Sequence, residues 1–268
     1  MFNQLLAALR YGIRAQTKYY LHSPFVYALA ENVIYDPRSY YAFYDIADLR
    51  RALLKNSTML IVTDLGASTN AASKNDVAAA STYMRSIKTI ANRAGATEKA
   101  GELLFKLANY FEANTCLELG TSLGLGSLYL AKARKKATIH TIEGCAKTAA
   151  IARQNFAQMR ANNIKSYIGN IDAVLPQLLP QLPQLDLVWA DGNHRYAPTL
   201  RYFEACLPHA HNDTVFVFDD IHWSKEMEQA WAAIQQHPQV TLTIDLFRLG
   251  LVFLRQEQQA KEHFIMWW

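Results

Sequence analysis

From residue 115 onward, short apolar segments alternate with segments of helical periodicity. The helical segments begin near residues 124, 146, 173, 198 and 224. This alternation is typical of βαβ units and predicts an α/β fold built on a mostly parallel sheet. The seven predicted strands are Thr115–Leu119, Thr138–Ile142, Lys165–Ile168, Asp186–Ala190, Thr214–Phe218, Thr241–Leu246 and Leu249–Leu254.

The last two predicted strands are joined only by Phe247 and Arg248. A parallel pair needs a crossover of a dozen or more residues, and this connection has no room for one. The sequence therefore predicts that the sheet ends in an antiparallel hairpin.

The first part of the chain, residues 1–98, reads instead as a helical cap with a long loop. Further helices are predicted over Asp45–Lys55, Ser81–Ala94 and Glu98–Glu112, and a surface loop over Asp64–Ala80. Residues 1–20 predict a first helix with an apolar stripe formed by Phe2, Leu5, Leu6, Leu9 and Ile13. A short stripe with few cations favours docking on the same chain, or on a second copy in a homodimer, over a membrane surface.

The segment between residues 19 and 44 is rich in aromatic side chains. Either these rings form the wall of a pocket for a flat or apolar substrate, or they pack the helical cap against the main domain. The aromatic residues are Tyr19, Tyr20, Phe25, Tyr27, Tyr35, Tyr40, Tyr41, Phe43 and Tyr44.

Composition narrows the class of protein. Hydrophobic residues make up 51% and charged residues 19% of the chain, as in a soluble globular protein. The net charge of +4 is too small to indicate nucleic-acid binding, and no apolar run is long enough to span a membrane. Cys116, Cys145 and Cys206 lack metal or redox spacing, and no signal peptide is recognised, so we expect free thiols and a cytoplasmic location.

A glycine-rich turn follows the strand at residues 115–119. Its pattern is E-x-G-x-x-x-G-x-G, which differs from the G-x-G-x-x-G of dinucleotide binders. By itself such a turn is also compatible with an ordinary tight βα connection. With the strand pattern around it, it resembles the first motif of class I methyltransferases that use S-adenosylmethionine.

That resemblance implies a Rossmann-like fold: a seven-stranded, mostly parallel sheet with a terminal antiparallel hairpin. Residues 99–268 would form the S-adenosylmethionine-binding domain, and residues 1–98 the N-terminal helical region. Backbone amides at the helix start would hold the methionine carboxylate, and Glu118 would attract the ammonium group through water. The turn residues implied in cofactor binding are Glu118, Gly120, Thr121, Ser122, Gly124 and Gly126.

Two further acids follow the next strands. Glu143 lies 23 residues past Gly120, near the spacing expected of an acid that binds ribose hydroxyls. Asp172 opens the helix after the third strand, where it either binds the adenine amino group or caps the helix. Ligands of an open α/β sheet lie at the carboxyl ends of its strands, which is where both acids are predicted.

Three carboxylates follow the fourth and fifth strands. Asp191 begins the turn D-G-N-H-R-Y, and Asp219 and Asp220 begin D-D-I-H-W. Adjacent acids need a cation or a proton, and three carboxylates suffice for one Mg²⁺ or another divalent ion. These turns resemble those of metal-dependent O-methyltransferases of the catechol and caffeoyl-CoA type, and Asp191 would also contact the methyl donor.

The same resemblance implies roles in catalysis for Asp191, Asp219 and His194. In that family an amide stands at the position of Asp220 and a lysine near that of His194, so a related metal-free group fits equally well. Histidine titrates near neutral pH, so His194 or His222 could take a proton from an acceptor hydroxyl. The resemblance covers residues 100–255.

The predicted function is methyl transfer to the oxygen of a small hydroxylated acceptor, for which an aromatic ring is one option. A methyltransferase-like scaffold without catalysis is one alternative. A nicotinamide-dependent oxidoreductase is another, but the glycine spacing and the terminal hairpin argue against it. The acceptor itself is not specified by the sequence.

Overall fold

An eight-stranded sheet forms the centre of the computed structural model, which describes residues 2–65, 81–93 and 95–268. The strands of this sheet are β3 (Thr115–Leu119), β4 (Thr138–Glu143), β5 (Ile164–Ile168), β6 (Leu185–Ala190), β7 (Ala210–Phe218), β8 (Leu242–Asp245), β9 (Gly250–Phe253) and β10 (Glu262–Ile265). A separate antiparallel hairpin precedes them, formed by β1 (Met59–Asp64) and β2 (Ser81–Ser86).

The strand order is β10-β8-β9-β7-β6-β3-β4-β5. Only β9 runs against the others among these eight strands, and it pairs antiparallel with both β7 and β8. The seven predicted strands and their terminal hairpin are therefore confirmed. β10 was not predicted: it pairs in parallel with β8 and adds an eighth strand at the edge.

Ten α-helices accompany the strands in the described parts of the chain. They are α1 (Phe2–Arg14), α2 (Pro24–Leu29), α3 (Tyr41–Lys55), α4 (Ile87–Arg93), α5 (Glu98–Tyr110), α6 (Leu125–Ala133), α7 (Ala146–Gln158), α8 (Ile171–Leu178), α9 (Tyr196–Cys206) and α10 (Lys225–Gln236). A π-helical turn over Ala30–Ile34 extends α2. None of the described helices is both long and apolar enough to cross a membrane.

The predicted helix over Ser81–Ala94 is wrong in its first half. Residues 81–86 form β2, and only Ile87–Arg93 are helical. Burial alternates along β2, which is the period of a strand rather than a helix. Most of the predicted loop lies outside the described residues, but Asp64 and Ser81 are paired as opposite ends of the β1–β2 hairpin.

The two faces of the sheet contribute to two hydrophobic cores. Alternate side chains of β3 point to opposite faces, so that Cys116 belongs to one core and Leu117 to the other. The N-terminal helices share the first core with the sheet: Leu29 and Ile46 are buried in the same cluster as Leu104. This core runs without a break across the boundary expected at residue 98.

Helix α1 docks on the other end of the chain. The Tyr11 hydroxyl donates to the Met266 carbonyl, and the Gln16 N–H donates to the Ile265 carbonyl at 2.8 Å. The docking face carries Ala7 and Tyr11, both buried. The predicted stripe is not this face, because Leu9 is 56% exposed and Ile13 is 85% exposed.

Most of the aromatic segment packs or faces solvent. Tyr40 and Phe43 pack with Phe105, and Phe25 packs with Phe111 and Phe253, by ring contacts of the first core. Large fractions of Tyr19, Tyr20, Tyr41 and Tyr44 are exposed. The packing interpretation fits these rings. All three cysteines are free and buried, as expected.

Candidate functional site

A cavity of about 600 Å³ opens at the carboxyl ends of β3 and β6. The strand order reverses at this point. Strands β4 and β5 lie on one side of β3, whereas β6 and β7 lie on its other side. The gap between the two turns is narrow. Gly120 has φ +103°, and a Cβ there would lie 2.5 Å from the backbone oxygen of Asp191. Only glycine therefore fits the turn after β3.

The wall of the cavity combines the strand ends with the β1–β2 hairpin. Gly120, Ser122, Glu143, Asn170, Asp191, Asn193, His194, Asp220 and Arg248 come from the sheet side. The hairpin wall consists of Val62, Thr63, Asp64, Leu65, Tyr83 and Arg85. The hairpin contacts the start of α7, where the Thr63 N–H approaches the Cys145 sulfur at 3.4 Å.

Glu143 ends β4 and is held in place by backbone donors. Its two carboxylate oxygens accept from the N–H of Ser122 at 2.7 Å and from the N–H of Cys145 at 2.9 Å. Burial raises the pKa of Glu143, although these two hydrogen bonds act in the opposite direction. The side chain therefore has a fixed orientation on the cavity wall.

Glu118 lies behind the cavity rather than on its wall. It is buried between β3 and α6, where it accepts from the hydroxyls of Ser127 and Thr141, the latter at 2.5 Å. Burial raises the pKa of the Glu118 carboxyl to about 7. A direct contact with a ligand ammonium has no path in this arrangement, and the predicted attraction through water stays a prediction.

The rest of the glycine-rich turn divides between the cavity and the packing of α6. Gly120 and Ser122 line the cavity, whereas Thr121 is buried and bonded to Thr141 at 2.5 Å. A Cβ on Gly124 would overlap the Phe156 ring, and one on Gly126 would lie 2.5 Å from Glu118 Oε1. These last two glycines let α6 pack closely against its neighbours.

Asp172 does not line the cavity. Its carboxylate forms an ion pair with Arg201 at 2.6 Å. The cap of α8 is Asn170, whose side chain accepts from the Asp172 N–H at 2.9 Å. Asn170 and Ile171 are the residues of this turn that reach the cavity.

The three predicted acids do converge at the other end of the cavity. Burial and the neighbouring Asp219 raise the pKa of Asp191, and burial and Asp219 likewise raise the pKa of Asp220. Asp219 is fully buried and receives a fork of two hydrogen bonds from Arg248, both at 2.8 Å. The Arg248 Nε is also 3.6 Å from Asp220 Oδ1.

This arrangement does not fit the predicted metal site. Both oxygens of Asp219 are occupied by the guanidinium, which already supplies the positive charge that converging acids need. No group of three or more potential metal ligands in a binding arrangement occurs among the described residues. Arg248 thus neutralises the cluster from within the chain.

The two candidate histidines differ in position. His194 lines the cavity, with its Nε2 3.6 Å from Asp191 Oδ1. His222 lies off the cavity wall, between Asp245 at 2.8 Å and Glu228 at 3.4 Å. Burial acts to lower the pKa of His222, but these two carboxylates outweigh burial and raise that pKa. With both ring nitrogens engaged, His222 has no free position for a ligand proton.

Sequence reasoning missed Arg248 and the hairpin wall. Arg248 was noted only as part of the β8–β9 connection, although a lone cation there faces the acids after β7. Backbone strain also marks the position of the cavity. Ser122, Asn193, Asp220 and Phe247 all have positive φ, and all lie in turns at this edge of the sheet.

Comparison with known proteins finds a matching domain family in the central part of the chain. Residues 117–221, from β3 to the turn after β7, match a family model described as a methyltransferase domain. No curated protein sequence matches the chain significantly.

Solved structures share the fold. An O-methyltransferase from Streptomyces achromogenes in complex with S-adenosylmethionine, described as involved in tomaymycin synthesis, has a TM-score of 0.57 at 18% identity, over 86% of this chain and 95% of that one. A SAH-bound methyltransferase from Podospora anserina has a TM-score of 0.59 at 14% identity, over 81% and 89%. A proposed caffeoyl-CoA O-methyltransferase from Staphylococcus aureus has a TM-score of 0.53 at 18% identity, over 61% and 87%.

At these identities the likeness shows the fold, whereas the family match covers the segment that carries Gly120, Glu143, Asp191 and His194. Strand order, the reversal at β3 and the terminal antiparallel strand all agree with the Rossmann-like methyltransferase fold. Residues 117–221 thus match a methyltransferase domain, and the chain shares its fold with solved methyltransferases.

Proposed function

We propose that the protein methylates an oxygen of a small hydroxylated acceptor. The observation that carries this proposal is the cavity at the β3–β6 reversal, with Glu143 after one neighbouring strand and the His194–Asp191 pair after the other. Its volume of about 600 Å³ is within the range of small-molecule sites. Oxygen is favoured because several proteins of the same fold are described as O-methyltransferases.

The donor side of the cavity fits S-adenosylmethionine, which supplies a methyl group on a positively charged sulfur when bound. Each Glu143 oxygen accepts one backbone N–H and retains a lone pair for a ribose hydroxyl. Ser122 Oγ and Asn193 Oδ1 are buried on the wall with no hydrogen-bond partner in the described residues. Unpaired buried polar atoms are rare and are consistent with a ligand that satisfies them.

We therefore assign donor binding to Gly120, Ser122, Glu143 and Asp191. Gly120 leaves the backbone open to the ligand, and Asp191 lies across the gap from it. In this proposal the other predicted residues act indirectly. Thr121, Gly124, Gly126 and Glu118 fix the turn against α6, and Asp172 pairs with Arg201.

His194 is the proposed proton acceptor. Asp191 holds its imidazole at 3.6 Å, on the part of the wall that also carries Asp220 and Arg248. A water-poor pocket favours loss of the sulfonium charge in the transition state, so the residues mainly have to position donor and acceptor. Tyr83, Tyr202 and Trp223 also line the cavity and support a flat, aromatic acceptor.

Titration calorimetry tests donor binding. We expect the wild-type protein to bind S-adenosylhomocysteine and not NAD. Glu143→Ala removes the ribose contact, so it should weaken binding at least about tenfold, the equivalent of one charge-assisted hydrogen bond. Wild-type protein that binds neither ligand would contradict the proposal and favour a scaffold without catalysis.

Turnover with a panel of small phenols and alcohols tests the catalytic assignment. We expect His194→Gln to lower kcat about a hundredfold, as for loss of a general base, with donor affinity unchanged. His211→Gln is the matched control. It removes another His–Asp pair, His211–Asp186 at 2.9 Å, which lies at the amino ends of β6 and β7, away from the cavity. Equal losses in both variants would exclude a specific role for His194.

A further inference from the structure

We propose that Arg248 supplies, at the acceptor end of the cavity, the positive charge that a divalent metal ion supplies in the metal-dependent enzymes that this chain resembles. In this view its guanidinium donates directly to the acceptor oxygen. The identity of that oxygen rests on the proposed function, but the replacement of a metal site by an arginine does not.

Three hydrogen bonds fix the position of Arg248. Its Nε and one terminal nitrogen donate to the two oxygens of Asp219, and Asp219 is fully buried. Its backbone carbonyl accepts from the Ile221 N–H at 3.2 Å. A fork of this kind, tied to a buried carboxylate, holds the guanidinium in one orientation.

The charges around Arg248 explain why a metal is not needed. Asp191, Asp219 and Asp220 converge beside it, and such carboxylates are stable together only with a cation or shared protons. A metal ion in this position would lie against the guanidinium that is bonded to both oxygens of Asp219, and the two positive charges would repel. The chain therefore carries its own cation where its relatives would bind one from solution.

Arg248 still has capacity for a ligand. A guanidinium has five N–H donors, and Asp219 uses two of them. The others have no hydrogen-bond partner among the described residues, and the side chain remains 33% exposed on the cavity wall. His194 lines the same cavity, and both side chains lie near Asp220.

The chemical step then balances without a metal. The acceptor hydroxyl loses its proton to His194, and the N–H groups of Arg248 stabilise the negative charge that develops on the oxygen. The oxygen forms a bond to the methyl carbon while the carbon–sulfur bond breaks. The products are the methyl ether and a neutral thioether, and no oxidant or reductant is involved.

Binding of Mn²⁺ provides a test that does not require the acceptor. Wild-type protein, Arg248→Met and a control, Arg255→Met, are titrated with Mn²⁺ by calorimetry in the presence of S-adenosylhomocysteine. The control removes a distant arginine that pairs with Asp213 at 3.0 Å. We expect no specific binding to wild type or control, and at least about tenfold tighter binding to Arg248→Met, because the acids lose their counter-ion.

Two results would overturn the proposal. One is Mn²⁺ binding to the wild type that Asp220→Asn removes. The other is a folded Arg248→Met protein that gains no Mn²⁺ affinity. If Arg248→Met does not fold, Arg248→Lys is used instead: it keeps the charge but loses the fork, and turnover retained at the wild-type level would refute direct donation. Failure of the wild type to bind S-adenosylhomocysteine would defeat the proposed function alone.

Discussion

Three buried acids at the centre of this protein show how environment assigns a role to a residue. Burial raises the pKa of Glu118, Glu143 and Asp191 alike. Their partners differ: hydroxyls surround Glu118, backbone N–H groups hold Glu143, and other acids adjoin Asp191. Of these three acids only Glu143 and Asp191 reach the cavity, so residue type alone does not separate a structural acid from one that lines the cavity.

Glu118 gives a pH-dependent prediction at this scale. Its native pKa is about 7, above the value of about 4.3 for an unfolded glutamate. Between these two pH values the native state binds more protons at Glu118 than the unfolded state does. The free energy of unfolding therefore falls as the pH rises. Relative to wild type, Glu118→Gln should therefore gain on the order of 2 kcal/mol in stability between about pH 5 and pH 8.

Urea unfolding of both proteins at the two pH values measures this difference. Comparison with wild type cancels the contributions of the other titrating groups. A stability difference between the two proteins that does not change with pH would show that Glu118 is ionised throughout, in conflict with its buried position.

At the scale of elements, two helical glycines that look alike in sequence differ in whether helix packing depends on them. Gly12 lies in α1, and Gly101 lies in α5 against α6. A Cβ on Gly101 would overlap the Tyr129 ring, whereas one on Gly12 would meet Trp267 at an ordinary 3.6 Å. Helix propensity is the same in both cases, so only packing distinguishes them.

We expect Gly101→Ala to destabilise the protein by about 1–3 kcal/mol, because overpacking separates α5 from α6. Gly12→Ala should instead stabilise it by up to about 1 kcal/mol, through helix propensity. Thermal unfolding of the two variants measures both effects. Stabilisation of both would mean that α5 and α6 tolerate a wider spacing than the structure indicates.

Periodicity predicted elements best where a segment is regular and its neighbours are close in sequence. The strands β3 to β9 have apolar runs bounded by helical segments, and all were predicted. β2 was missed because it leads directly into α4, so two periods merge in one stretch. β10 was missed because it has four residues and is defined by its pairing with β8, which no local pattern shows.

At the scale of the whole molecule, the two ends of the chain hold each other. Gln16 forms an isolated parallel bridge with Met266, and the Trp267 N–H donates to the Gln16 carbonyl at 3.1 Å. The Tyr35 hydroxyl donates to the Trp267 carbonyl at 2.6 Å. The N-terminal helix is thus secured through the C-terminal tail, next to β10.

Removal of residues 262–268 should therefore release α1. Hydrogen exchange measured by mass spectrometry is expected to show faster exchange over residues 2–14, with protection of β3 and β6 retained, because local opening follows the loss of local contacts. Tyr35→Phe, which removes one hydrogen bond of the tail, serves as a milder control. Unchanged exchange over residues 2–14 in the truncated protein would show that α1 docks independently of the tail.

The sequence by itself determined the βαβ succession, the terminal hairpin, the glycine-rich turn and the positions of Glu143, Asp191, Asp219, Asp220 and His194. These features depend on local periodicity and on which residues follow a strand, and both are properties of short stretches. The resemblance drawn from those stretches agrees with the domain model that matches residues 117–221 and with the fold of solved methyltransferases.

Only the tertiary structure decided which of these residues share the cavity. It placed Glu118 behind β3, paired Asp172 with Arg201, and set Arg248 between the acids where a metal was expected. It also brought the β1–β2 hairpin over the strand ends and joined the two termini. These outcomes depend on packing between segments far apart in the chain, and no local pattern encodes such contacts.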